Sequence, residues 1–149
     1  MKEAFSHLNA AGSARMVNVG HKPAQRRRAR AEGRLVCRPA TIQALKKNAL
    51  PKGDVLTVAQ VAGIQAAKRT AELIPLCHPL SLNHVDLKFR VGRTAIDIVC
   101  TAETNAPTGV EMEALTGVAV AALTLYDMCK AVDKTMRIEG VRVVKKEKE

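Results

Sequence analysis

The sequence predicts an α+β fold in which helices pack on one face of an antiparallel sheet. Apolar and polar residues alternate through Val85–Val91 and again through Ile96–Cys100, which predicts a hairpin with one buried face. Two longer stretches, residues 55–73 and 110–132, are rich in small and apolar residues and predict helices. Strands and helices in this order favour a two-layer sandwich.

Length and composition restrict the class of protein. The 149 residues suit one domain, and 47% of them are hydrophobic. Only 2% are aromatic, with no Trp, which argues against nucleic-acid-binding modules that stack bases on aromatic faces. We expect a single domain over residues 1–149, with residues 1–14 and 145–149 mobile.

Charge is distributed unevenly along the chain. The net charge is +10; residues 1–99 hold 17 Lys and Arg against 6 acids, and residues 100–149 hold 7 against 8. This asymmetry indicates an anionic partner, which would be nucleic acid, a polyphosphate or a phosphorylated small molecule. General solubility is a strong competing explanation when the charge is considered alone.

The four cysteines, Cys37, Cys77, Cys100 and Cys129, form no C-x-x-C pair, and neither they nor the histidines show ligand spacing. We therefore expect neither a disulfide framework nor a metal site. The sequence shows no secretory leader and no apolar run of the ~20 residues that a membrane span needs. These features predict a cytoplasmic protein with reduced, mostly buried cysteines and no membrane contact.

Local patterns predict the elements of the first half of the chain. Residues 15–19 are expected to form a short strand. The basic stretch 22–38 alternates in part, which predicts a strand with an arginine-lined outer face or, equally, a solvated basic edge strand. A short helix is expected over residues 39–49 with Thr41 as its cap, and Asp54 is expected to cap the next helix.

The second half contains a proline-rich segment and a final strand. Two prolines within residues 74–80 forbid a continuing helix and predict extended backbone there. The last strand is expected at residues 136–144, with an interruption at Gly140.

Two segments could bind a ligand. Lys52, beside Gly53 in the turn before a helix, can meet an anion together with backbone N–H groups, although most turn lysines are only solvated. The segment Leu76-Cys77-His78, held between two prolines, presents an imidazole and backbone donors at fixed positions. A buried histidine paired with a carbonyl explains that segment equally well.

The long helix carries two further candidates. Glu111 and Glu113 lie in its first turn, where complementing the helix dipole is the favoured explanation. Asp127 and Lys130 share one face, as in a surface ion pair, but their neighbours are apolar, and a buried charged pair is costly without a task. On a straight helix Glu113 and Asp127 are separated by about 21 Å. If both serve one small-molecule site, two chains must contribute to it, which predicts a homo-oligomer.

Several ordered segments closely resemble the cyclic pyranopterin monophosphate synthase family of molybdenum cofactor biosynthesis. The similarity covers roughly residues 7–144, and two of its motifs, IPLCHPL and GVEMEALT, are highly specific. The segments that carry it are residues 7–12 (HLNAAG), 52–55 (KGDV), 62–70 (AGIQAAKRT), 74–80 (IPLCHPL), 108–115 (TGVEMEAL) and 121–132 (AALTLYDMCKAV).

The resemblance implies a ferredoxin-like fold, a homohexamer built as a trimer of dimers, and a lyase. The implied substrate is (8S)-3',8-cyclo-7,8-dihydroguanosine 5'-triphosphate, which a radical SAM enzyme makes from GTP. The implied products are cyclic pyranopterin monophosphate and diphosphate. The sequence requires no cofactor, although magnesium can accompany the triphosphate.

The resemblance also implies roles for particular residues. Carried over by motif, Asp127, Lys130 and Lys52 are the catalytic candidates, with the lysines transferring protons and Asp127 assisting. The substrate-binding candidates are Leu76, Cys77, His78, Glu111, Met112 and Glu113, with Lys68 and Arg69 as further cations for the triphosphate.

Two departures from the family pattern accompany these implications. Asn18 stands where members commonly have Asp, and the chain ends in KKEKE instead of a Gly-Lys-Ser-rich segment. Two other functions compete with the enzyme. One is a nucleic-acid-binding module attracted by the positive charge, and the other is a catalytically idle nucleotide sensor of the same fold.

Overall fold

The computed structural model describes residues 4–48 and 54–149. The elements of these residues, in chain order, are β1 (Gln25–Val36), α1 (Pro39–Lys46), α2 (Val55–Lys68), α3 (Thr70–Leu73), β2 (Leu82–Val91), β3 (Ala95–Ala106), α4 (Glu111–Cys129) and β4 (Arg137–Lys148). The strands form one antiparallel sheet in the order β2-β3-β1-β4. This order, with helices after β1 and β3, is the ferredoxin-like α+β arrangement that was expected.

The core lies between the sheet and the helix pair α2 and α4. Leu35, Leu87, Ile96 and Ile98 project from the inner face of the sheet and are at most 1% exposed. Helix α4 is long and apolar enough to cross a membrane by length and composition alone, yet more than half of it is buried against the rest of the chain. We therefore interpret α4 as the central helix of this core.

Glycines allow α2 and α4 to approach each other closely, as the small residues of the sequence predict. A Cβ added to Gly63 would lie 2.2 Å from Leu87 Cδ1 and 2.8 Å from the carbonyl oxygen of Gly117. A Cβ on Gly117 would lie 2.6 Å from the Cys100 sulfur. This packing fixes α4, and hence the residues at both of its ends, relative to the sheet.

The basic stretch forms β1, and its alternate arginines project from the outer face of the sheet, as one of the two interpretations predicted. The alternative of an edge strand is wrong, because β1 lies between β3 and β4. Acids on β3 pair with these arginines: Glu103 lies 3.1 Å from Arg26, and Asp97 lies 2.7 Å from Arg34. These pairs offset part of the positive charge that suggested a nucleic-acid partner.

Three expectations for the first half of the chain are wrong in detail. Residues 15–19 do not form a strand, because the amide of Arg15 bonds to the carbonyl of His7 in a local loop instead of joining the sheet. Thr41 does not cap α1; its hydroxyl donates to Asp133 at 2.9 Å. Asp54 caps α2, as predicted. The helix expected over residues 55–73 ends at Lys68, however, and the separate short α3 follows it.

The second half differs from expectation at two places. Residues 74–77 form a turn instead of extended backbone, with Pro75 in its second position and the Cys77 amide donating to Ile74 at 3.1 Å. Strand β4 runs to Lys148 because the end of the chain continues to pair with β1. The predicted interruption at Gly140 is confirmed, since its φ of +67° coincides with a register shift.

Candidate active site

A cleft of about 330 Å³ lies where the start of α4, the turn after α3 and the N-terminal segment meet. It brings together six predicted substrate-binding residues, namely Leu76, Cys77, His78, Glu111, Met112 and Glu113. The other residues that line it are Ser6, His7, Val17, Val19, Lys22, Leu80, Thr108 and Gly109. Two segments far apart in the sequence thus converge on one concave surface with the N-terminal segment as a third wall.

Glu113 is the most unusual side chain of the cleft. It is 5% exposed, and its Oε2 has no hydrogen-bond partner within the described part of the chain. Burial raises its pKa to about 7, the charge of Glu111 adds to this effect, and the backbone N–H of Glu113 itself opposes it. Near neutral pH this carboxyl group can therefore either accept or donate a hydrogen bond to a ligand.

Glu111 forms an ion pair with a lysine that is not among the predicted site residues. The Nζ of Lys146 on β4 lies 2.9 Å from Glu111 Oε1. The end of β4 therefore comes next to the cleft, with the Lys146 side chain still 61% exposed. Lys146 is a candidate functional residue for this reason.

His78 connects the cleft to the N-terminal segment. Its Nε2 donates to the carbonyl oxygen of Val17. Because a carbonyl oxygen only accepts, the hydrogen of this bond is on Nε2, and Nδ1 is the ring atom that remains for a ligand. This contact is the carbonyl pairing of the second explanation of this segment, although His78 is half-buried instead of buried.

Lys68 and Arg69 lie at the C-terminal end of α2, beside the cleft and not within its lining. They line an adjoining hollow of about 120 Å³, which shares His78, Leu80 and Glu113 with the cleft. Two cations therefore lie next to the surface that carries the two acids.

Asp127 and Lys130 lie at the opposite end of α4. Asp127 Oδ1 and Lys130 Nζ are 2.9 Å apart, and the two side chains are 54% and 53% exposed. This is the geometry of a surface ion pair, and in the described part of the chain neither residue lines the cleft. Lys52, the third catalytic candidate, lies outside the described residues. A single chain therefore separates Asp127 and Lys130 from the six substrate-binding candidates of the cleft.

Cys77 is a cysteine that lines the cleft. All four cysteines are free, and burial, followed by the charge of Glu113, raises the pKa of Cys77. The thiol of Cys77 is therefore protonated at neutral pH. Within residues 4–48 and 54–149, no group of three or more His, Cys, Asp and Glu side chains is placed to hold a metal ion.

Known proteins are similar to this chain over nearly its whole length. A family model described as the MoaC family matches residues 16–149. A cyclic pyranopterin monophosphate synthase of Chloroflexus aggregans is 58% identical over 144 residues, which cover 95% of this chain and 87% of the relative. One of the same name from Oleidesulfovibrio alaskensis is 55% identical over 148 residues, 98% of this chain and 93% of the relative.

A further relative is longer. A molybdenum cofactor biosynthesis bifunctional protein of Chlorobaculum tepidum is 55% identical over 139 residues, 93% of this chain but 45% of the relative. The range matched by the family model contains the whole lining of the cleft except Ser6 and His7, and it contains both ends of α4.

Proposed function

Since the chain belongs to the MoaC family, we propose that it catalyses the formation of cyclic pyranopterin monophosphate in molybdenum cofactor biosynthesis. The proposed substrate is 3',8-cyclo-7,8-dihydro-GTP, supplied by a radical SAM enzyme, and the second product is diphosphate. The observation that carries the proposal is the cleft lined by the family motifs, in which the buried Glu113 has one carboxyl oxygen without a partner among the described residues.

The carboxyl groups of the cleft suit the guanine-derived end of this substrate. An aminopyrimidinone presents N–H donors, and Glu113 Oε2 is a buried acceptor without a partner in the described part of the chain. Pairing with a ligand would remove the cost of leaving this oxygen unsatisfied. The ion pair with Lys146 orients Glu111 at the edge of the same cleft.

Cations near the cleft suit the triphosphate. Lys22 lines the cleft, and Lys68 and Arg69 line the hollow beside it. Charge-assisted hydrogen bonds from such groups bind phosphate oxygens and stabilise the negative charge of the departing diphosphate. Magnesium bound to the triphosphate would act in the same direction.

Acid–base chemistry is assigned to the far end of α4. Opening the cyclised purine, closing the pyrazine ring and forming the cyclic phosphate each require proton transfer. Lys130 stands 2.9 Å from Asp127, so the carboxylate can orient the amine and relay its proton. Lys52 is proposed as the second lysine on the strength of its motif.

If Glu113 and Asp127 serve one site, the length of α4 supports a site built by two chains. Glu113 and Asp127 are separated by about 21 Å along the helix, which exceeds the reach of one small-molecule pocket. We therefore propose that the cleft of one chain meets Asp127 and Lys130 of another in a homohexamer arranged as a trimer of dimers. A monomer with full activity would contradict this arrangement.

The test is incubation of the protein with cyclised dihydro-GTP, followed by assays for diphosphate and the pterin product. Wild type and the exposed-lysine control Lys134→Ala are expected to release both products, whereas Lys130→Ala should fold and assemble but not turn over. Binding of the nucleotide without release of diphosphate by wild type would instead indicate an idle sensor. Near-normal turnover by Lys130→Ala would reject the role of this lysine.

A further inference from the structure

A buried aspartate lies immediately after the turn that carries Lys130. Asp133 is 0% exposed. Its Oδ2 accepts hydrogen bonds from the backbone N–H of Arg38 at 3.0 Å and from the hydroxyl of Thr41 at 2.9 Å. Its Oδ1 accepts from the backbone N–H of Thr135 at 2.9 Å and from the hydroxyl of Thr135 at 2.7 Å. We refer to the contacts among Arg38, Thr41, Asp133 and Thr135 as the Asp133 anchor.

The anchor joins the turn after α4 to the start of α1. Arg38 directly precedes α1, and its Nε lies 3.4 Å from Asp133 Oδ1. The guanidinium group of Arg38 also donates to the carbonyl oxygen of Val132. The turn is therefore fixed from two sides, through its backbone and through a buried side chain.

Lys130 stands between the end of α4 and this anchor. The backbone N–H of Lys130 donates to Tyr126 at 2.9 Å, and that of Asp133 donates to Cys129 at 3.2 Å. Only two residues separate the lysine from the anchored aspartate, so there is little slack in the backbone between them. The orientation of the Lys130 backbone thus depends on where Asp133 is held.

We propose that Asp133 is a positioning residue for Lys130. By fixing the turn against α1, it fixes the direction in which the Lys130 amine projects beside Asp127. This inference rests on the catalytic role proposed for Lys130.

Turnover measurements separate positioning from binding. Asp133→Asn removes half of the acceptor capacity and is expected to lower kcat by about tenfold or more, since small misplacements of a catalytic group are costly. KM should change less than about threefold, because the cleft lies at the opposite end of α4. Thr41→Val is the milder variant if Asp133→Asn folds poorly, and Thr41→Ser, which keeps the hydroxyl, should restore wild-type turnover.

A stability-matched control separates positioning from general destabilisation. Leu87→Ala removes a core side chain of β2 that is 1% exposed and that takes no part in the anchor. At temperatures where it remains folded, Leu87→Ala should keep wild-type kcat, although its free energy of unfolding is lowered as in Asp133→Asn. Equal losses of kcat in both variants would overturn the proposal.

A second readout needs no substrate and distinguishes this inference from the proposed function. The acylation rate of the Lys130 amine across pH, compared with that of Lys88 on β2, which is 78% exposed, should change in Asp133→Asn, and amides 130–135 should exchange hydrogen faster. Wild-type values for both would overturn the proposal whatever the turnover. Absence of product from wild type would refute the proposed function, while the labelling result would still decide whether Asp133 orients Lys130.

Discussion

Two buried carboxyl groups of this chain experience opposite surroundings. Burial raises the pKa of Glu113 to about 7, and one of its oxygens has no partner within the described residues. Burial alone would also raise the pKa of Asp133, but hydrogen bonds from Arg38, Thr135 and Thr41 outweigh it and hold that pKa well below its usual range. Glu113 is therefore available to a ligand, whereas the hydrogen-bonding capacity of Asp133 is used within the protein.

Glu113→Gln should change stability in a pH-dependent way. The folded protein holds the Glu113 proton up to about pH 7, whereas the unfolded chain releases it near 4.5, so ionisation of Glu113 progressively destabilises wild type between these values. The difference in free energy of unfolding between the variant and wild type should therefore rise in favour of the variant by up to about 3 kcal/mol from pH 5 to pH 8. Urea unfolding at both pH values measures this gain, with exposed Glu72→Gln as the control. A difference in unfolding free energy between variant and wild type that is the same at both pH values would contradict the raised pKa of Glu113.

Asp133→Asn should have the opposite pH dependence. The depressed pKa of Asp133 contributes stability above the unfolded value of about 3.8, and this contribution is lost as pH falls below it. At pH 7 we expect the free energy of unfolding of the variant to be about 2 kcal/mol lower than that of wild type, because buried donors lose their acceptor. The deficit should shrink at pH 3, and thermal unfolding at the two pH values tests this.

At the scale of elements, the contact between α2 and α4 determines where the cleft lies. Both helices have a glycine at the contact, and neither glycine has room for a methyl group. Helix α4 begins at the cleft and ends at the Lys130 turn, so its position is transmitted to both groups of candidates. The two glycines therefore matter for function although neither touches the cleft.

Gly63→Ala should destabilise the fold by about 1–3 kcal/mol, because the added methyl group would overlap Leu87 and the Gly117 carbonyl. Gln65→Ala, an exposed change on the same helix, should stay within about 0.5 kcal/mol of wild type. The midpoint of chemical unfolding reports both effects. A Gly63→Ala protein as stable as wild type would show that the helices can separate without cost.

The sequence predicts elements better than it predicts their pairing. Alternation predicted the β2–β3 hairpin correctly, since the inward side chains of Val85–Val91 and Ile96–Cys100 are apolar. Lys146 was missed because two register shifts in β4 change which residues face the helices, and no local pattern reveals both. The hydroxyl of Thr41 was assigned to a cap because its true partner, Asp133, is 92 residues away.

The site shows the same division. Motifs selected six residues that the fold then gathers into one cleft, because the start of α4 packs beside the turn after α3. The N-terminal wall of the cleft, with His7 and Lys22, was not predicted, since it depends on a tertiary contact, the hydrogen bond between His78 and Val17.

At the scale of the whole molecule, one chain carries two separated halves of the proposed site. The cleft lies at the N-terminal end of α4, and the Asp127–Lys130 pair lies at its C-terminal end, where it is half exposed. The two charges of a half-exposed ion pair interact only weakly, because solvent screens them, and such a pair is poorly suited to proton transfer. Enclosure by a second chain would remove that water and strengthen the interaction.

Subunit mixing tests this arrangement directly. Glu113→Ala and Lys130→Ala are each expected to be inactive alone, because each disables a different half of every site. After co-refolding of an equal mixture, about a quarter of the sites should combine two intact halves if a twofold interface builds them. Diphosphate release measures the recovery, and a mixture as inactive as its components would show that each site is built by one chain.

The uninterrupted path of α4 between the two halves has an evolutionary consequence. Fourteen residues set both the spacing and the angular phase of Glu113 and Asp127, and each inserted or deleted residue would rotate one end by about 100° relative to the other. We therefore expect homologous proteins to vary in length at the Gly92–Thr94 hairpin turn and to keep the same number of residues within this helix.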